Sequence, residues 1–405
     1  MKQIFTQRHV VHLGGYDPMT PEAYLARFKR ELERFARCWS VKARIADVVI
    51  DQTTARWKVD VEGPGWASAS SHELIRWDDL ISEHRSRGTL QRWWRGMASF
   101  VDFTVGGALW RYLVVAWRYA AFFLYPYLTL IAAFLLAMEL VQRVALAAGA
   151  HGLVAALLGA ASGAAVVHRL VWKTHLGHLL DDWIFASELV RGMDPELVRR
   201  LEQGAERAAA APGGGEVLVV GHSLGAVLAA DLIERALQRS PDRSFVFLAL
   251  GSSILKIALH AGAAGLRRTL SAINSSGRVT WIEYQSLTDV MNFYRSDPVA
   301  VLGLPGPPVT ARQVRFSRML EPAYYARIKR NFFRLHCQFI SGNDRRAPFD
   351  YLMTLCGPFA TDALAAAPEG PTHWIGADGG LTESAAPAIA TSASPPAASA
   401  SRASP

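Results

Sequence analysis

The five residues Gly221-His222-Ser223-Leu224-Gly225 hold one hydroxyl between two glycines. Ahead of them, Glu216-Val217-Leu218-Val219-Val220 reads as a short buried strand, set off by the loop Pro212-Gly213-Gly214-Gly215. Behind them, Val227, Leu228, Ala230, Leu232, Ile233 and Leu237 recur at helical spacing and predict a helix over 226–238. A serine on so sharp a turn between strand and helix is lifted above the sheet edge, where a base can make it a nucleophile. Side chains at Gly221 and Gly225 would collide with the neighbouring strand and helix. The first amides of the helix, beginning with Leu224, point at the space where an oxyanion would form. His222, the variable position inside the turn, is expected to line the pocket.

Gly-x-Ser-x-Gly between a valine-rich strand and an apolar helix resembles the α/β-hydrolase superfamily, in particular its lipase- and esterase-like members. The resemblance implies an α/β fold with a mostly parallel sheet flanked by helices, no cofactor, and a triad in the chain order Ser, Asp or Glu, His. Two aspartates follow the strand read at 279–284: Asp289 just beyond its end, and Asp297 in Ser296-Asp297-Pro298-Val299. Asp289 is the favoured acid and Asp297 the alternative; either is otherwise a turn-forming residue. The implied base is His336, in Arg334-Leu335-His336-Cys337-Gln338-Phe339. His260 comes too early in that order, and His373 belongs to the approach to a low-complexity tail. Hydrolases of this type complete the oxyanion hole after an early strand, here at Gly14-Gly15-Tyr16. The amide of Gly15 or Tyr16 is therefore expected to face the substrate carbonyl, with a plain turn as the competing reading. The histidines are scattered and show no metal-ligand spacing.

The elements that must position these groups are read in order. Residues 9–13 form a first strand. Thr20 caps a helix that begins at Pro21, carries Glu22 in its first turn and runs to about residue 35. Residues 41–61 alternate as two strands around Asp51-Gln52-Thr53-Thr54. From residue 71 to 94 the pattern turns helical and rich in arginine and tryptophan. A helix over 179–210 is interrupted near Gly192 and Pro195. Strands follow at 245–250, at 279–284 and around 314–316. From residue 365 the chain is mostly Ala, Pro, Gly and Ser and predicts disorder.

Residues 119–138 carry no charge and match the length of a bilayer crossing. After Glu139 and Arg143, residues 144–167 form a second uncharged run, with Gly159 and Gly163 in a small-xxx-small arrangement. Arg92, Trp93, Trp94, Arg95, Trp110, Arg111, Trp117 and Arg118 precede the runs, and Arg169 and Lys173 follow, as an interfacial belt would. Residues 111–173 therefore predict a transmembrane helical hairpin, with Pro126 tolerated inside it. Buried core helices, or a hydrophobic cap over the active site, are the competing readings. The basic flanks outnumber the turn's Arg143, which puts both termini in the cytoplasm at the inner membrane. The hairpin thus interrupts one hydrolase domain, residues 1–110 and 174–364, with residues 365–405 as a tail.

Composition narrows the partners. The chain has 405 residues, a net charge of +8 and 51% hydrophobic residues. Cys38, Cys337 and Cys356 show no paired framework, which suggests a reducing compartment, and residues 1–8 lack the apolar core of a signal peptide. No basic-aromatic module marks nucleic acid as a partner. The arginines are read as attracted to anionic headgroups, making the partners a bilayer and an ester or acyl-lipid substrate. The expected function is a membrane-anchored serine hydrolase cleaving esters or thioesters. Acyl transfer on the same residues and a non-catalytic scaffold on the same fold are its alternatives.

Overall fold

Strand β1 (Ile4–Leu13) runs through the middle of one eight-stranded sheet. The computed structural model describes residues 4–388. After β1 come α1 (Pro21–Trp39), β2 (Lys42–Ile50), β3 (Thr54–Gly63) and β4 (Trp66–Ile75). Six helices follow: α2 (Asp78–Arg85), α3 (Thr89–Val105), α4 (Ala108–Ala147), α5 (Gly152–Lys173), α6 (His175–Arg191) and α7 (Pro195–Ala209). The second half continues with β5 (Glu216–His222), α8 (Gly225–Arg239), β6 (Phe245–Leu250), α9 (Ile254–Ala258), α10 (Ala264–Ser275), β7 (Val279–Ser286), α11 (Pro298–Leu302) and β8 (Thr310–Val314). Short helices complete the chain to residue 388.

The strand order is β2-β3-β4-β1-β5-β6-β7-β8, and every pairing is parallel except those of β3. The chain first fills the side of β1 that carries β4, then crosses over to build the other side from β5. Strand order therefore reverses between β1 and β5, and the loops leaving their carboxyl ends diverge to open a crevice. Side chains alternate across the sheet with a period of two. Val217 and Val219 pack into the core beneath α2–α8, whereas Leu218 and Val220 face the core shared with α1 and the C-terminal helices. Burial on both faces explains why β5 reads as an unbroken apolar run.

Three sequence expectations are corrected here. Residues 66–75 form a strand, and the helix expected from residue 71 begins only at Asp78. The strand escapes notice because four of its buried positions, Ser68, Ser70, His72 and Glu73, are polar and satisfied by partners. Ser70 Oγ lies 2.8 Å from His72 Nε2, His72 Nδ1 lies 2.9 Å from His12 Nε2, and Arg207 donates to Glu73 at 2.6 Å. The strand expected around 314–316 ends at Val314, and Phe316 opens a short helix. The tail is ordered well past residue 365: Leu364, Ala365, Ile375, Ala385 and Ala388 are buried in the second core, and Trp66 Nε1 donates to the Gly379 carbonyl at 2.9 Å. Main-chain contacts of this kind leave no trace in composition. Residues 389–405, the rest of the expected tail, lie outside the described residues.

Both α4 and α5 are long and apolar enough to cross a membrane by length and composition. Their boundaries differ from the two uncharged runs. Tyr119, Phe122, Phe123, Tyr127 and Leu130 of α4 are packed into the first core. The turn falls at residues 148–151, so Glu139 and Arg143 sit one helical turn apart on α4, paired at 2.6 Å. The glycines do allow close approach: a methyl group at Gly159 would lie 2.6 Å from the Met138 carbonyl oxygen, and one at Gly163 would lie 2.9 Å from that of Phe134. Arg92 and Arg95 do not belong to a lipid-facing belt. Arg92 is buried and donates to Asp181 at 2.8 Å, and Arg95 reaches Glu188 at 2.8 Å. Trp94, Trp110 and Trp117 are exposed.

On β7, Glu283 is buried beside Trp281, whose Nε1 donates to it at 3.3 Å. Burial pushes its carboxyl up to about 8. The folded protein thus holds a proton that the unfolded chain releases near pH 4.5. The stability this contributes is complete below that pH and is lost as pH rises toward 8. Thermal melts should show wild type losing stability relative to Glu283→Gln between pH 5 and pH 8, with no further divergence above; parallel curves would remove the assignment.

Candidate active site

Ser223 follows the last residue of β5 with φ +56°, a left-handed conformation that costs a non-glycine residue roughly 1–2 kcal/mol. Close packing enforces it. A side chain on Gly221 would run into Ala226, and one on Gly225 would run into the Leu13 carbonyl. The Ser223 amide donates to Leu250 O of β6 at 3.1 Å, which ties the turn to the next strand. The loop after β1 passes directly alongside: a methyl group on Gly15 would stand 3.6 Å from Ser223 Oγ. The amides of Gly15, Tyr16 and Leu224 donate to no protein acceptor among the described residues. Tyr16 turns its side chain away from the serine, its hydroxyl 2.6 Å from His84 Nδ1.

His336 lines the same crevice, and Asp289 is buried behind it. His336 Nδ1 lies 2.7 Å from Asp289 Oδ2, both residues are buried, and Asp289 Oδ1 accepts the Met291 amide at 2.9 Å. His336 Nε2 is buried with no hydrogen-bond partner, while Ser223 Oγ stands 3.4 Å from Ser253 Oγ. The serine hydroxyl and the imidazole are thus not hydrogen-bonded to each other. Asp297, the alternative acid, is the N-cap of α11, accepting the amides of Val299 at 2.8 Å and Ala300 at 3.4 Å. His222 lines the cleft, and its Nε2 donates to the His336 carbonyl at 3.1 Å. Burial, helped by the neighbouring His336, pulls the His222 pKa well down and keeps that ring neutral. His260 lies elsewhere, 3.0 Å from the Asp102 carbonyl at the end of α3. His373 is exposed on a short helix near the C-terminus.

Nothing matches this chain among protein-family models, curated proteins or solved structures.

The cleft holds about 430 Å³, with Ser223 and His336 in its wall beside Ile75, Leu179, Met291 and Phe333. Thr174, His175 and His178, at the junction of α5 and α6, line the same space. Phe333 packs 4.7 Å from the His175 ring, and its neighbour Phe332 packs 6.1 Å from Phe122 of α4. The mouth therefore adjoins the base of the helical hairpin. Among the described residues, no three His, Cys, Asp or Glu side chains converge to hold a metal ion. Sequence reading missed Ser253, Met291 and Phe333. Only Ser253 had a signal, its place in Gly251-Ser252-Ser253 at the carboxyl end of β6 beside β5.

Proposed function

We propose that this protein is a serine hydrolase of the α/β-hydrolase type, held at a membrane by its hairpin, that cleaves a carboxylic ester or thioester of a lipid-like substrate. One observation carries the reading. Ser223, in a left-handed turn at the carboxyl end of β5, shares a crevice with an unpartnered His336 Nε2 whose other nitrogen is 2.7 Å from buried Asp289. The chain order Ser223, Asp289, His336 is that of the superfamily.

In this mechanism Ser223 Oγ swings from Ser253 to His336 Nε2 and attacks the acyl carbon as its proton passes to that nitrogen. Asp289 holds the imidazole with Nε2 free and stabilises the imidazolium. The amides of Leu224 and of Gly15 or Tyr16 receive the oxyanion. The tetrahedral intermediate collapses, the acyl–oxygen or acyl–sulfur bond breaks, and the leaving alcohol or thiol takes the proton from Nε2. Water then attacks the acyl carbon of the Ser223 ester as it gives a proton to Nε2; the acyl–Oγ bond breaks, that proton passes to Ser223 Oγ, and the acid leaves with the serine restored. The apolar cleft walls and the nearby hairpin favour an acyl chain delivered from a bilayer. Arg111, Arg118, Arg169 and Lys173 flank the hairpin at its base and favour a cytoplasmic catalytic domain.

Labelling with a fluorophosphonate tests this. The full-length protein should become covalently modified, and Ser223→Ala should not. Equal labelling of the two would end the enzyme reading and leave a non-catalytic scaffold.

A further inference from the structure

Resting on the membrane-held reading above, we infer that the hairpin is seated in a single leaflet with its tip inside the hydrocarbon, and that α3 lies along the surface of that leaflet. The first observation is length. No residue of α4 beyond Leu130 is buried, and on α5 the protein core is reached again at Val167. At 1.5 Å per residue, residues 131–147 rise about 25 Å and residues 152–166 about 22 Å. Both fall short of the roughly 30 Å of hydrocarbon, and of the headgroups beyond it, that a tip must pass to reach water on the far side. Residues 119–130 turn Tyr119, Phe122, Phe123, Tyr127 and Leu130 into the protein core and leave Tyr125 and Leu128 exposed at the hairpin's base, so the part of the helix free of the core begins at residue 131.

The second observation is the tip, Ala147-Ala148-Gly149-Ala150-His151-Gly152, which carries no charged residue. It satisfies much of its own main chain. Ala148 and Gly149 donate to Val144 O and Leu146 O at 3.0 Å each, Ala150 to Ala145 O at 2.9 Å, and Leu153 to His151 Nδ1 at 3.3 Å. These are the bonds of ordinary helix ends, and they give the closure of amides that a turn in hydrocarbon requires. The nearest ionic groups, Glu139 and Arg143, pair with each other at 2.6 Å.

The third observation is α3. Leu90, Trp94, Ala98, Val101 and Val105 recur every third or fourth residue and form an exposed apolar stripe. The opposite face buries Arg92 and Phe103. Trp110, Val114 and Trp117 continue the exposed apolar surface into α4. One apolar face bearing indole rings suits a helix lying in the plane of a bilayer surface. Arg111 and Arg118, both exposed, donate to the carbonyls of Leu259 and Leu287 and pair with no carboxylate among the described residues, leaving their charge for anionic headgroups.

Depth measurements decide it. One cysteine, at Ala148 or at Ala98, is introduced into full-length protein carrying Cys38→Ser and Cys337→Ser, the remaining Cys356 being fully buried, with folding checked by circular dichroism. The protein is reconstituted into phosphatidylcholine–phosphatidylglycerol vesicles. A spin label at 148 should be relaxed by oxygen and not by a water-soluble nickel chelate, and a label at 98 should report the headgroup boundary. Position 148 should resist an impermeant maleimide added outside or trapped inside. Modification of 148 from the side opposite the catalytic domain would establish two crossings and overturn this inference, leaving the membrane reading intact. A water-exposed label at 98 would overturn the placement of α3. Failure of the protein to float with the vesicles would overturn the membrane reading itself.

Discussion

Replacing His336 by alanine is expected to lower kcat on a soluble acyl ester by about six orders of magnitude, the scale of loss when one member of a concerted catalytic unit is removed. The geometry behind this is a buried Nε2 without a partner, in the same crevice as Ser223. Without it the serine keeps its proton at neutral pH. Ser223→Ala should lose as much, and the double variant no more, because the two residues act as one unit. KM should change little, since neither side chain contributes much of the apolar wall. The measurement is steady-state hydrolysis of a chromogenic ester by each variant. His222 provides the control: its ring lies 4.5 Å from that of His336, but its Nε2 is committed to the His336 carbonyl at 3.1 Å. Activity surviving His336→Ala and lost in His222→Ala would move the base to His222.

The aspartates should separate almost as widely. Asp289→Asn is expected to cost about four orders of magnitude in kcat, because an amide holds the imidazole in the wrong tautomer while leaving its position intact. Asp297→Asn should leave kcat unchanged, and because asparagine caps helices as well as aspartate does, it should barely alter stability. Asp297→Ala should cost about 1 kcal/mol of stability through loss of the cap on α11, again without touching turnover. Melting temperatures and kcat for these three variants are sufficient. A large loss of turnover in the Asp297 variants with a small one in Asp289→Asn would transfer the acid to the loop before α11.

The turn around Ser223 was legible in the chain because its causes are local. A valine-rich strand, two glycines and an apolar helical repeat lie within about two dozen residues, and Gly221 is needed for the turn's own contact with Ala226, whereas Gly225 also answers to the Leu13 carbonyl of β1. Thr20 and Pro21 announce α1 for the same reason, through a cap and a first turn. Two uncharged runs likewise announce a pair of long apolar helices, because helix length and hydropathy are properties of a segment. What needed the tertiary structure was every question of partnership. Local sequence favours Asp289 over Asp297 without excluding either, and only the fold puts His336 beside Asp289 while Asp297 caps α11. Strand β4 was hidden because Ser68, Ser70, His72 and Glu73 are satisfied by residues far along the chain, so its buried positions do not look buried. The ordered stretch up to residue 388 was hidden because it is held by a few small side chains and by main-chain carbonyls that every residue possesses. Arg92, which resembles a membrane flank, meets Asp181 in the interior. Local sequence sets what a segment can become, and charge, polarity and depth acquire their meaning only from what the fold brings against them.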